Sequence, residues 1–389
     1  MTPPTEATQS YRGFEQGPIR PPSEARSLLI RVSRNCPWNR CSFCPVYKQT
    51  EFSLRPASHV LQDIDSVHKH VNTLKREFAD SARSVPADLD RIAGAIPREE
   101  LAAFEVAYHW VFAGRMKSVF LQDADALVTI PTQLIEVLTH LRGCFPSVER
   151  VTSYSRARTI ASRREADLKA IARAGLDRIH VGLESGSDQV LKRVSKGVTK
   201  EKHIEAGLKV KAAGMELSEY VMPGLGGTEL SKTHALESAD ALNRMNPHFI
   251  RLRSLALPPN APLFAEYQAG RFDKCNDVAM AKEILTLIES LDSITSVIKS
   301  DHVLNLFGDL EGTLPDDKPR MTGMMRAFLQ MEPDEQRLYQ VGRRLGMFCG
   351  ISDMQIPRAR EAAESACRQL GVTAENVDRI TDELMTRFV

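Results

Sequence analysis

Long apolar runs are missing from this chain. No stretch of about 18 consecutive apolar residues occurs, so no membrane-spanning helix is expected. Residues 1–24, MTPPTEATQSYRGFEQGPIRPPSE, hold five prolines and no apolar core, so no secretory leader is expected. Charge of one sign is missing too. Lys and Arg number 51 against 50 Asp and Glu, a formal net charge of +1. That balance argues against a protein built to coat nucleic acid or anionic membrane. Cysteine is scarce: seven residues in 389, an odd number, which disfavours a secreted disulfide scaffold. A reducing cytoplasm is the expected compartment, and it keeps thiols available as ligands. No internal repeat or low-complexity tract stands out. Hydrophobic residues at 42% and charged residues at 26% exclude dominant disorder.

Three parts follow from the pattern. Residues 1–26 read as an irregular, proline-broken arm. Residues 27–265 alternate short apolar strands with helical stretches, interrupted by a helical insertion over about 50–117. Within that insertion, Asp80 to Glu99 is polar and proline-interrupted and reads as a mobile segment. Residues 266–389 read as a C-terminal helical region with no further strands.

Six strands can be counted, beginning at Leu28, Ser118, Val148, Arg178, Glu216 and Phe249. Strands alternating with helices of 10–16 residues mean βαβ units and a parallel sheet. The count suits an α/β fold, either doubly wound or a full or partial barrel. In both, chemistry belongs at the carboxyl ends of the strands. Polar loops do follow those ends: Cys36–Cys44, Asp123–Asp125, Glu184-Ser185-Gly186 and Gly224–Gly227.

Cys36-Pro-Trp-Asn-Arg-Cys41-Ser-Phe-Cys44-Pro45 places three thiols on one loop in a C-x4-C-x2-C spacing. Such a loop can wrap one metal centre, because each ligand needs only a few residues of reach. Structural zinc wants four closed ligands, and no second C-x2-C pair exists in the chain. An iron–sulfur cluster is also thiolate-bound, and three ligands on a four-iron cluster leave one iron open for chemistry. Both readings stand on the spacing alone. The zinc reading makes the loop a structural or interaction module. A doubly wound nucleotide-binding protein with incidental cysteines is a third reading.

The loop resembles the cluster loop of the radical S-adenosylmethionine (radical SAM) enzymes, with Phe43 just before the last cysteine and one residue more than the usual C-x3-C-x2-C. Four further segments are similar in order. Phe120-Leu-Gln-Asp123-Ala-Asp125-Ala-Leu127 resembles the segment carrying the family's Gly-Gly-Glu-Pro, with Asp125 at the Glu position and Asp123-Ala124 in place of the glycines. Gly175 to Leu191, followed by Lys196-Gly197, is the strongest match. It resembles the branch with oxygen-independent coproporphyrinogen oxidase, tRNA methylthiotransferases and the Elongator catalytic subunit. Tyr220-Val-Met-Pro223-Gly224-Leu-Gly226-Gly227 resembles that branch's fifth-strand glycine motif, and Arg251-Leu-Arg253 its sixth-strand exit. Length and segment order are closest to a bacterial subgroup of such proteins.

The resemblance implies a partial (β/α)6 barrel. It implies that Cys36, Cys41 and Cys44 hold a [4Fe-4S] cluster. It implies that Asp125 contacts the amino group of S-adenosylmethionine (SAM), and that Glu184 and Ser185 meet its ribose or methionyl part. Gly224, Gly226 and Gly227 would let backbone approach the adenine or carboxylate, and Arg253 would meet an anion. Reductive cleavage to a 5′-deoxyadenosyl radical, hydrogen abstraction from an unidentified small molecule, and a flavodoxin- or ferredoxin-like electron donor are implied as well. No second cysteine cluster and no D-x-H-x-x-G cobalamin signature occurs in the sequence, and no acetyltransferase-like domain is expected.

Other features have plainer readings. Ser187 is placed to cap a helix. The basic stretch Lys192–Lys202 reads as a solvated face. Trp110 reads as core and Trp38 as a shield beside the cluster. Cys144, Cys275, Cys349 and Cys367 are scattered singly and read as buried small residues. The polar segment Asp301–Lys318 reads as a lid or as a linker to the last helices.

Overall fold

The computed structural model describes residues 10–78 and 92–387. Most of the segment expected to be mobile, 80–91, and the first nine residues of the arm lie outside the described residues.

Eight strands form one sheet in the order β1-β4-β5-β6-β7-β8-β9-β10. They are β1 Leu28–Arg31, β4 Ser118–Gln122, β5 Arg150–Ser155, β6 Arg178–Glu184, β7 Glu216–Val221, β8 Phe249–Leu252, β9 Val297–Lys299 and β10 Gly312–Thr313. The six strands read from the sequence are β1 and β4 to β8. A small hairpin-like pair, β2 Ser33–Arg34 and β3 Ser53–Leu54, runs antiparallel beside them in sequence. The fold is α/β with a mostly parallel central sheet, the class of the partial (β/α)6 barrel.

The helices are α1 Ala57–Glu77, α2 Leu101–Phe112, α3 Pro131–Cys144, α4 Ala157–Ser162, α5 Glu165–Arg173, α6 Asp188–Arg193, α7 Lys200–Ala212 and α8 Gly227–Met245. Then come α9 Pro262–Gln268, α10 Asp277–Ser290, α11 Lys318–Leu329, α12 Pro333–Arg344, α13 Pro357–Leu370 and α14 Val377–Thr386. No helix among the described residues is long and apolar enough to cross a membrane.

The chain forms two compact units. The first comprises residues up to 37, 49–180 and 209–216. Here β1, β4 and β5 pair in parallel, with Leu28 opposite Val119 and Val119 opposite Val151. Helix α3 starts at Pro131, whose missing N–H costs nothing at that position. Its buried stripe is Leu134, Val137, Leu138 and Leu141, the helical period seen in the sequence. Trp110 is core, as read: its indole N–H donates to the Ser118 carbonyl and its ring meets Phe145 edge-on.

The second unit comprises Trp38–Lys48, Val181–Leu208 and Leu217–Val389. Strands β7, β8 and β9 are parallel, and β10 returns antiparallel along β9. Ser187 accepts the Val190 N–H at the start of α6, as its position predicts. Asn246, in the left-handed conformation, ends α8. One difference from the sequence reading lies in this unit. Strands β9 and β10 fall in the stretch read as a helical region without strands; at three and two residues they are too short to leave a period-2 pattern.

Cysteine placement also needs correction. Only Cys275 of the four scattered cysteines is buried; Cys144 and Cys367 are half-buried and Cys349 is exposed. A single small apolar residue carries no periodic signal, so its depth was not legible.

Candidate functional site

The second unit gathers the ends of three strands at one edge. The Met222 N–H donates to the Glu184 carbonyl at 3.0 Å, just past β7 and at the tip of β6. The Arg253 N–H donates to the Val221 carbonyl at 3.0 Å, and Leu255 N–H to the Pro223 carbonyl at 2.9 Å. Glu184, Ser185, the Gly224–Gly227 loop and Arg253 are therefore brought together at the carboxyl ends of β6, β7 and β8.

Part of the cysteine loop is fastened to the same place. The Ser42 N–H donates to the Val194 carbonyl at 2.9 Å, and its own carbonyl accepts the Leu263 N–H at 2.8 Å. Between them Phe43 enters an apolar cluster with Val190, Val194, Met222, Leu225 and Leu255, and Cys41 and Cys44 pack against it. Neither thiol is in a disulfide. The indole N–H of Trp38 donates to the Ser195 carbonyl at 2.8 Å, with the Arg40 guanidinium 5.1 Å from its ring centroid. Gly197 lies under that indole at φ +73°, where a side chain would overlap the ring.

Glu184 sits at φ 60° and turns its carboxylate onto the Lys196 ammonium at 2.9 Å. That ammonium lies 5.7 Å from the centroid of Phe43. Three other basic side chains of this stretch are paired with acids: Lys200 with Glu237 and Asp240, Lys202 with Glu205, and Arg193 with Glu229. Nearby, Glu219 on β7 is fully buried, and burial holds its carboxyl well above the usual range against the opposing Lys196 charge.

Ser185 is buried and does not face solvent. Its hydroxyl meets Nδ1 of His234 at 2.7 Å and accepts the Ser187 N–H at 3.0 Å. Nε2 of the same His234 meets the Met222 carbonyl at 3.1 Å. Glu283, on α10, accepts the Gly224 N–H at 2.7 Å through Oε1 and the Ser231 hydroxyl at 2.5 Å through Oε2. His234 and Glu283 thus lock both the β6 tip and the glycine loop. Sequence reasoning missed both residues. The only signal was a polar residue on the inward face of each helix, at positions where an apolar one would sustain the period.

Gly226 gives its carbonyl to Arg193 at 3.3 Å, and Gly227 closes the turn by donating to the Gly224 carbonyl at 3.0 Å. Arg253 is half-buried one residue past β8. Its neighbour Arg251 is committed instead to Asp301 at 2.7 Å. The segment expected to be a lid or a linker is held fast. Buried Asn305 donates to the Leu252 carbonyl and accepts the Ser254 N–H, both at 2.8 Å. Tyr339 and Arg343 of α12 donate to the Leu306 carbonyl behind it.

Asp125 and Cys36 belong to the first unit. Asp125 is fully buried in the turn after β4. Its Oδ1 accepts the Ser155 hydroxyl at 2.6 Å and its Oδ2 the Thr159 hydroxyl at 2.5 Å. Burial raises its pKa, and the two hydroxyls oppose that rise. Asp123 makes an ion pair with Arg31 at 2.8 Å and accepts the Asn35 N–H at 3.2 Å, bracing the chain one residue before Cys36. Cys36 is half-buried and not in a disulfide.

A strand-end site in an α/β fold that gathers Cys41 and Cys44, a carboxylate–ammonium pair and a glycine turn in one unit defines a class of cofactor-dependent enzyme. Family comparison gives the class its name. The model of the Radical SAM superfamily matches residues 30–237, more than half of the chain, and the chain belongs to that superfamily. It is an enzyme of SAM-cleavage chemistry, and SAM and an iron–sulfur cluster are that family's cofactors.

The chain is 28% identical over 236 residues to the 4′-phospho-dehydrooxetanocin synthase of Priestia megaterium, a match of 56% of this chain and 26% of that protein. It thus spans about a quarter of that curated relative's length. Coproporphyrinogen III oxidase from Escherichia coli matches at a TM-score of 0.44 and 14% identity, over 68% of this chain and 52% of that one. The SAM methyltransferase TsrM from Kitasatospora setae, solved with cobalamin and a [4Fe-4S] cluster, matches at a TM-score of 0.40 and 17% identity, over 63% and 37%.

The donor set suits such a cluster. Three cysteines outside any disulfide lie within nine residues, and two of them rest against an apolar wall that limits water. Low-potential clusters are thiolate-bound and tuned by burial.

Proposed function

We propose that this protein binds a [4Fe-4S] cluster through Cys36, Cys41 and Cys44, cleaves SAM reductively, and uses the resulting 5′-deoxyadenosyl radical to abstract hydrogen from a small-molecule substrate. When bound, the cluster supplies the electron that breaks the sulfonium carbon–sulfur bond. The chain's own residues bind and orient SAM. Asp125 is assigned to its amino group, Glu184 to its ribose or methionyl part, the Gly224, Gly226 and Gly227 backbone to its adenine or carboxylate, and Arg253 to an anionic group. Buried Ser185 acts by fixing the β6 tip through His234. Phe43, Trp38 and the wall of leucines around them exclude water from the thiolates.

The observation that carries the reading is the fastening of Ser42 to Val194 and Leu263, with Cys41 and Cys44 packed on the apolar cluster that contains Met222 and Leu225. A small flavodoxin- or ferredoxin-like protein is the proposed electron donor, and a reducing cytoplasm the proposed compartment. Anaerobic purification tests the cofactor assignment. A brown protein with about four irons per chain is expected. A colourless protein holding one zinc at the loop overturns it.

A further inference from the structure

Three metal-ligating side chains meet in the first unit, on residues outside every segment assigned above. His140 and Cys144 lie four apart on α3 and so share a face. Asp65 approaches them from α1. Oδ1 of Asp65 lies 2.7 Å from Nε2 of His140, and Sγ of Cys144 lies 3.6 Å from the same Nε2 and 4.0 Å from the same Oδ1. All three ligand atoms fall within 4.8 Å of one another.

The arrangement is not a nucleophile relay. A relay passes through the two opposite nitrogens of the ring, with the acid on one and the thiol on the other. Here carboxylate and thiol both address Nε2, so the three atoms converge on one point. Zinc bonds of about 2.0–2.3 Å place tetrahedral ligands roughly 3.3–3.8 Å apart. The observed edges bracket that range, so small side-chain rotations would seat an ion. Sulfur, imidazole and carboxylate together suit a borderline cation.

We propose that Asp65, His140 and Cys144 form a zinc(II) site that clamps α1 to α3, with water completing the coordination. The ion displaces the Cys144 thiol proton, which leaves to solvent.

The test uses the cluster-loaded full chain, kept anaerobic, dialysed against zinc chloride, desalted, and analysed for zinc and iron. The wild type and Cys349→Ser are expected to keep one zinc per chain in addition to their iron. His140→Ala and Cys144→Ser are expected to lose it with iron unchanged. Asp65→Asn, a mild change at an exposed residue, is expected to weaken zinc at least about tenfold. Zinc should raise the melting temperature of the wild type and not that of His140→Ala. A wild type that retains no zinc, zinc undiminished in both His140→Ala and Cys144→Ser, or zinc lost only in Cys41→Ala would overturn the assignment.

Discussion

The backbone N–H of Gly224 donates to Oε1 of Glu283 at 2.7 Å, across 59 residues of sequence. A helix beyond the matched family segment therefore fixes the turn assigned to SAM. Glu283 also accepts the Ser231 hydroxyl and lies 3.5 Å from Nε2 of His234.

Removing that carboxylate should loosen the turn. An unpaired buried donor costs about 1–3 kcal/mol, so Glu283→Ala is expected to raise the KM for SAM by roughly 5- to 150-fold, with a smaller change in kcat. Glu283→Gln retains an acceptor and is expected to recover much of the loss. Steady-state kinetics of both variants check this. Equal melting-temperature losses with KM unchanged would mean that the bond only stabilises the fold.

His302 is held neutral. Burial, aided by the Arg253 charge, lowers its pKa to about 4. Its unfolded pKa is near 6.5. The unfolded chain thus binds more protons between these values, and the native state loses stability as pH falls from about 6.5 toward 4. His302→Gln should flatten that part of the profile in urea melts. An unchanged slope would show that His302 does not contribute.

Glu219 has the opposite sign. Its carboxyl is raised by burial, so the folded state holds the proton longer than the unfolded state does. Its contribution is full below the unfolded value near 4.5 and is lost as pH rises. Glu219→Gln should make stability less dependent on pH above 5 and raise it at neutral pH. A loss of stability at pH 7 would contradict this.

Gly197 has φ +73° and no room above it but for the Trp38 ring. Gly197→Ala adds about 1–2 kcal/mol of left-handed strain and displaces the indole. Acrylamide quenching of tryptophan emission should rise, since Trp38 and Trp110 are the two emitters and Trp110 is core. Unchanged quenching would mean that Trp38 stays docked.

Much of this is legible in the sequence. Six strands, the Ser187 cap and the polar strand-end loops each follow from short, strong local patterns. Glu184 and Gly224 could be placed at strand ends because the parallel alternation fixes where strands stop. The supports could not be read. His234 and Glu283 reach the site across 49 and 59 residues, and a polar residue inside an amphipathic helix gives no address for its partner. Strand β9 is recruited by the edge of β8, and β10 by β9, rather than by their own pattern. Convergence of Asp65 on His140 depends on how α1 packs on α3, which the spacing within either helix does not encode.

The account rests on the thiolates of the Cys36–Cys44 loop supporting SAM cleavage. The direct measurement is anaerobic incubation of reconstituted wild type and Cys41→Ala with SAM and dithionite, followed by chromatography for 5′-deoxyadenosine. The wild type should release 5′-deoxyadenosine and methionine in equal amounts, and Cys41→Ala should release neither and hold less iron. Cleavage that persists in Cys41→Ala, or its absence from an iron-replete wild type, would contradict the account.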